Sequence, residues 1–379
     1  MKGKPWSCLA SLMVAATLGL GLPNDAAGTR SEPGQPSTGS LIAIADMQVA
    51  RSAHSATALA DGRVLVAGGF IVKGSSVGAQ AYQPATRRFV ALPPMITTRH
   101  SHTATLLPDG KVLIAGGYGE GAVTLGSAEL FDPRTNAFAP TGAMKTPRAD
   151  HVAIPLIGGK VLIAGGLGSG WNYLASAEIY DPATGRFSPT GEMTMPRESH
   201  RGVLLPDGRV VVVGGHNGQR KNLTILASAE LYNPASGRFS RAGAMRMPRH
   251  KHDAVLLPEG RVLITGGADH RDDRGVYSSS ELFDPKTGSF IAGPEMKLGR
   301  YKHGGSSLVL PNGKVLVSGG APQAEIYDPT SRVFRLVPGK PRMAGQFSAA
   351  APISGGEVLI TGGYGNGTGP RASAWLYRP

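Results

Sequence analysis

Val161-Leu162-Ile163-Ala164-Gly165-Gly166, followed by Ser176-Ala177-Glu178-Ile179-Tyr180-Asp181-Pro182, is one copy of a phrase that decides the fold. The phrase opens on Arg148-x-x-His151, and it returns about every 48 residues from Arg51 to Pro379, a period that belongs to solenoids and propellers. Gly-Gly pairs mark seven copies, at Gly68-Gly69, Gly116-Gly117, Gly165-Gly166, Gly214-Gly215, Gly266-Gly267, Gly319-Gly320 and Gly362-Gly363. The run before each pair is short and rich in β-branched residues, so it reads as a buried strand rather than a helix.

Asp-Gly pairs such as Asp61-Gly62, Asp109-Gly110 and Asp207-Gly208 supply the positive φ of a tight turn and join that strand to an antiparallel neighbour. Tyr180-Asp181-Pro182-Ala183-Thr184-Gly185-Arg186-Phe187 reads as a strand, a turn and a return strand. Each unit is therefore a four-stranded meander. The last unit stops at Tyr377-Arg378-Pro379, one strand short, and Ser40 to Met47 matches the strand it lacks. Pairing the two ends would close the ring and remove exposed strand edges.

Four-stranded units ending in Gly-Gly and a Tyr-Asp-Pro turn resemble kelch repeats, over residues 47 to 379. The resemblance implies an all-β, seven-bladed kelch-type β-propeller whose N-terminal strand completes the last blade. Phe138, Phe187, Phe239, Phe290 and Phe334 stand where kelch repeats often carry Trp, and any large aromatic can fill the gap between blades. Galactose oxidase is built on a ring of this kind, with copper and a Tyr linked to Cys. Here the only cysteine is Cys8, so neither a disulfide nor that copper-radical centre is expected, and no cofactor or metal is assigned.

Lys2 and Lys4 precede an apolar stretch from Cys8 to Leu22 and then Pro23 to Ala27, the charged, apolar and small-residue parts of a secretory signal. The expected organisation is a signal peptide over 1–27, a flexible leader over 28–39 and a propeller over 40–379, secreted or periplasmic, with no membrane span after signal removal. Removing Lys2, Lys4 and Asp25 takes the net charge from +13 to +12. That excess favours an anionic partner, a glycan or a cell-surface protein. Nucleic acid is disfavoured, because no Lys/Arg run and few aromatics are present for base stacking.

The repeated Arg51, Arg99, Arg148, Arg197, Arg249, Arg300 and Arg342, with His three residues later in six units, would gather near the mouth of the central channel. Residues present in every unit are first of all architecture. Their expected partners are Glu129, Glu178, Glu230, Glu281 and Glu325, because a buried Arg or Glu left alone is costly. The first unit has Gln80 in place of Glu and the seventh has Trp375, which would leave Arg51 and Arg342 free for an anionic ligand, with Gly345 opening space beside Gln346. Variable loops add Trp171 and Tyr173, suited to sugar stacking, and His216 with Arg220-Lys221. His100, His250, Tyr301 and Lys302, next to the repeated His, could add an acid or base. Asp269 to Arg274 is dense in charge but matches no EF-hand spacing.

Three functions fit this reading: an exported binding module acting through an Arg/His face, an enzyme on acidic sugars (polysaccharide lyase or sugar mutarotase), or a structural scaffold without a small-molecule site.

Overall fold

A computed structural model describes residues 38–218, 222–339, 345–365 and 369–379. The expected signal peptide, residues 28–37 of the expected leader, Arg220-Lys221 and Arg342 lie outside the described residues.

Seven four-stranded antiparallel sheets follow one another around a ring. The second is typical, with strands Thr103–Leu106, Val112–Ala115, Ala128–Asp132 and Ala137–Pro140 running from the channel outwards. The seventh holds Ala349–Pro352, Val358–Thr361 and Ala374–Arg378, and its fourth strand is Ser40–Ala43, with Leu41 opposite Tyr377. The chain ends thus meet inside one sheet and no blade is left with an unpaired middle strand. No helix among the described residues is long and apolar enough to cross a membrane.

Every second strand is completely buried, which is why it reads as an unbroken apolar run. Alternate side chains point to opposite neighbours. Val64 and Val66 pack with Leu359 and Ala351 of the seventh blade, while Leu65 and Ala67 pack with Val112, Ile114 and Phe131 of the second. The core is therefore a series of seams between blades. The expected phenylalanines sit in these seams or at their edges, stacked within their own blade, as in Phe138 on Phe131 and Phe187 on Tyr180 with centroids 4.9 and 4.8 Å apart.

The Gly-Gly pair is required by close approach as well as by its positive φ. A Cβ on Gly68 would stand 2.5 Å from the Arg99 carbonyl oxygen and 2.7 Å from the His102 ring. In six blades the Gly-Gly turn is pressed against the Arg-x-x-His turn of the following blade, and the amide of the second glycine donates to the Arg carbonyl, as Gly69 does to Arg99 and Gly363 to Arg51.

Candidate functional site

The repeated arginines are scaffold. Arg51, Arg99, Arg148, Arg197, Arg249 and Arg300 are fully buried. Arg148 shows the pattern: Nη1 donates to the Gly165 and Ser176 carbonyls at 2.9 Å, and Nη2 to Glu178 Oε1 at 3.1 Å. Glu178 also accepts from the backbone amides of Lys145 and Thr146. The same pair closes at 2.7 Å for Arg99–Glu129, 2.9 Å for Arg197–Glu230 and Arg249–Glu281, and 3.0 Å for Arg300–Glu325. No ligand reaches these groups, so the expected Arg/His face is not an arginine face.

Arg51 keeps the same place without the carboxylate. Its Nη1 donates to the Gly68 and Gly78 carbonyls at 2.7 and 2.9 Å, and its Nη2 has no partner. Burial pulls its pKa down to about 10. It faces a seam rather than the mouth, which corrects its assignment as a free ligand-binding arginine.

In the seventh blade the backbone sets a register different from the one expected. Gly320 donates to the carbonyl of Gly345, as Gly69 does to Arg99, and Gln346 bridges Tyr364 as His100 bridges Tyr118. Gly345, not Arg342, therefore occupies the repeated Arg position, and Ser348, not Gly345, the His position. With Trp375 at the Glu position, packed in a seam at 5% exposure, this blade has replaced both halves of the ion pair.

The repeated histidines form a second ring, bonded from blade to blade. His54 Nε2 lies 2.8 Å from Thr361 Oγ1, His102 Nε2 3.0 Å from Ser55 Oγ, His151 Nε2 3.0 Å from Thr103 Oγ1, and His303 Nε2 3.2 Å from Thr265 Oγ1. Burial, helped by the neighbouring arginines, drives the pKa values of His54 and His151 down to about 3, so these rings are neutral.

Between the conserved positions of the repeat lie two that vary, and they build the mouth. The residue before each repeated His, and before Ser348 in the seventh blade, adopts a left-handed conformation: Ala53, Ser101, Asp150, Ser199, Lys251, Lys302 and Phe347 all have φ between 48° and 55°. That conformation costs a non-glycine residue about 1 kcal/mol. It is held by backbone hydrogen bonds passed around the channel: Ser101 to Ala53 at 3.0 Å, Asp150 to Ser101 at 3.1 Å, Lys251 to Ser199 at 3.0 Å, Lys302 to Lys251 at 2.8 Å, Phe347 to Lys302 at 2.7 Å and Ala53 to Phe347 at 3.1 Å. Seven side chains of five kinds are thereby presented around one opening.

Above this ring is a depression of about 440 Å3 walled by Phe70, His100, Tyr118, Phe347 and Tyr364, with Asp150, Glu198 and Lys251 in it. On one side stands Asp150, near Ser101 and Tyr118, and burial together with the Glu198 charge pushes its pKa up to about 7. Burial and the same two carboxyls push the Tyr118 phenol up. Glu198 Oε1 lies 2.9 Å from His216 Nε2, and His216 Nδ1 lies 3.2 Å from His250 Nδ1. His250 is held neutral, near 3, by burial and Lys251.

On the opposite side, Lys251 pairs with Asp272 at 2.9 Å. Lys302 has no carboxylate within ion-pairing distance among the described residues. Its Nζ sits 3.1 Å from Tyr364 Oη and 3.5 Å from Gln346 Oε1, 4.7 Å from the Tyr301 ring centre and 5.6 Å from those of Phe347 and Tyr364. Burial opposes its charge, but the Tyr301 and Tyr364 hydroxyls hold its pKa above the ordinary value.

Of the residues named from sequence, His100, His216, His250, Tyr301, Lys302 and Gln346 come together at or beside this mouth. Tyr173 packs edge-on against His216, with centroids 5.6 Å apart. Trp171 is 67% exposed and lines a separate groove with Tyr118, Val123 and Thr124. In the charged loop, Asp269 is taken by Arg271 at 2.6 Å and Asp272 by Lys251. Among the described residues no group of His, Cys, Asp and Glu is arranged to hold a metal. Asp150, Glu198, Tyr118, Lys251 and Phe347 escaped the sequence reading. The signal for Asp150, Glu198, Lys251 and Phe347 was the variation itself, at the two inner positions of the Arg-x-x-His turn, and for Tyr118 the variable residue after Gly-Gly.

A comparison with protein families matches the kelch motif to residues 149–194 and 199–246. No curated protein matches the sequence. Among solved structures, a fungal alcohol oxidase of the AA5 family, solved in complex with copper, superposes with a TM-score of 0.71 at 16% identity, covering 90% of this chain and 77% of its own. At that identity the likeness is one of fold.

Proposed function

We propose that this kelch-repeat propeller is an exported binding module that takes an acidic sugar, of the uronate class, into the mouth of its channel. Kelch propellers serve in general as interaction modules. The observation that carries the proposal is Lys302, a cation caged by Tyr301, Phe347 and Tyr364 without a carboxylate partner among the described residues. A carboxylate on the ligand supplies the missing counter-charge in a half-desolvated site, where such a pair is worth more than at an open surface. The ring faces of Phe70, Tyr118, Phe347 and Tyr364 suit the apolar faces of a pyranose, and Asp150, Glu198 and Ser199 suit its hydroxyls. The charged and apolar N-terminal segment supports export.

A second reading, an enzyme on the same sugars, is favoured by Asp150 and Glu198. Asp150 is raised to about 7, and Glu198 beside it lies 2.9 Å from His216 Nε2, so two carboxyls able to exchange protons with a bound sugar line one mouth, with an imidazole beside them.

An array of neutral, uronate-rich and sulfated glycans at two salt concentrations tests the first reading. Salt-sensitive retention of the uronate class, lost in Lys302→Gln, is expected. Retention of no glycan would transfer the role to a protein partner. Release of altered sugar from a retained uronate would favour the enzyme.

A further inference from the structure

Below the mouth the channel holds a feature that the ligand reading does not use. The innermost strands are built from small and apolar residues, and Arg201 is their only basic residue. Its side chain is 31% exposed and lines both the cavity under the mouth, about 190 Å3, and the channel space continuing below it. Asp253 is its one ionic neighbour, at 3.2 Å from Nε without hydrogen-bond geometry. That carboxylate is already occupied by four backbone amides, of Ala254, Gly305, Ser306 and Ser307. Among the described residues no acceptor is hydrogen-bonded to the guanidinium.

The histidine ring breaks at the same place. Where the other blades offer Ser or Thr, the blade facing His252 offers Arg201 and Val213, and the blade facing His200 offers Val152 and Ala164. His252 is fully buried, lines the cavity, and has a partner on neither ring nitrogen. Gly304 clears the space beside the guanidinium, since a Cβ there would stand 2.8 Å from Arg201 Nη1. Donors without acceptors therefore converge on a partly open cavity whose lining includes Lys251 and Lys302, and buried donors call for an acceptor.

We infer that the channel holds a small inorganic anion, of the size of sulfate or phosphate, bound by the Arg201 guanidinium and an N–H of the His252 ring. This site, at Arg201 and His252, lies below the sugar site at Lys302 and shares the lining residues Asp150, Lys251 and Phe347 with it, and the position of a bound anion tells the two apart.

Selenate is a suitable probe, because it can be titrated by calorimetry and located in crystals of the protein by its anomalous signal. Saturable binding is expected, with the selenium located beside Arg201 and a selenate oxygen within hydrogen-bonding distance of its guanidinium. Arg201→Gln should weaken it tenfold or more, and exposed Arg134→Gln should leave it unchanged. If Arg201→Gln does not fold, Gly304→Ala, which crowds Nη1 at an unstrained backbone position, should weaken binding in its place. An absence of saturable binding, a channel occupied by water alone, unchanged affinity in Arg201→Gln or in a folded Gly304→Ala, or selenium located at Lys302 would each overturn the inference.

Discussion

Arg197 and Glu230 meet at 2.9 Å with no exposure of either side chain, and four other blades repeat the pair. Such a pair adds little over an apolar substitute, yet removal of one partner leaves a buried charge alone. Arg197→Ala should lower unfolding free energy by about 3–5 kcal/mol, seen as a fall in the urea midpoint at unchanged slope.

The first blade offers the reverse experiment. Arg51 has an unused Nη2 and faces Gln80, whose Oε1 is also unpartnered. Gln80→Glu should complete the ion pair and raise stability by about 1–2 kcal/mol at neutral pH. A lower urea midpoint would show that the Arg51 site is built for a neutral partner.

The pH dependence of stability separates Asp150 from the histidines. The carboxyl has a folded-state pKa near 7, above its unfolded value, so its contribution is fully present below about pH 4 and is lost as pH rises towards 7. The neutral histidines act oppositely: with folded values near 3, they oppose folding as pH falls from about 6.5. Asp150→Asn retains the histidine effect and removes the first. Stability of wild type relative to Asp150→Asn should therefore decline between pH 4 and 7, measured by urea denaturation across that range. A flat difference would mean that Asp150 is ionised throughout.

Closure through Ser40–Ala43 predicts a strong effect of a small deletion. Without residues 38–46 the strand Ala374–Arg378 becomes an edge and the seam around Leu41, Trp375 and Tyr377 opens. The thermal midpoint should fall by about 5 °C or more, with self-association in light scattering.

The fold was legible because each blade restates an apolar buried strand and a Gly-Gly turn that admits no Cβ, and five of the seven add an Arg whose Glu lies on the third strand. The ring closure followed from counting strands at the two ends. The seventh blade misled because an Arg three residues before Gly345 imitates the repeat, whereas the backbone pairing of Gln346 with Tyr364 sets the register. The mouth was only partly legible. Asp150, Glu198, Lys251 and Lys302 come from successive blades, and each alone resembles ordinary variation. Only the ring, with its left-handed residue before each histidine, turns that variation into one surface.

Calorimetric titration with galacturonate and with neutral galactose, in wild type and Lys302→Gln, is the most direct test of an acidic-sugar site at the channel mouth. Saturable galacturonate binding, weakened about tenfold or more both by the substitution and by loss of the ligand carboxylate, is predicted. Equal affinity for the two sugars, or galacturonate binding untouched by Lys302→Gln, would contradict it.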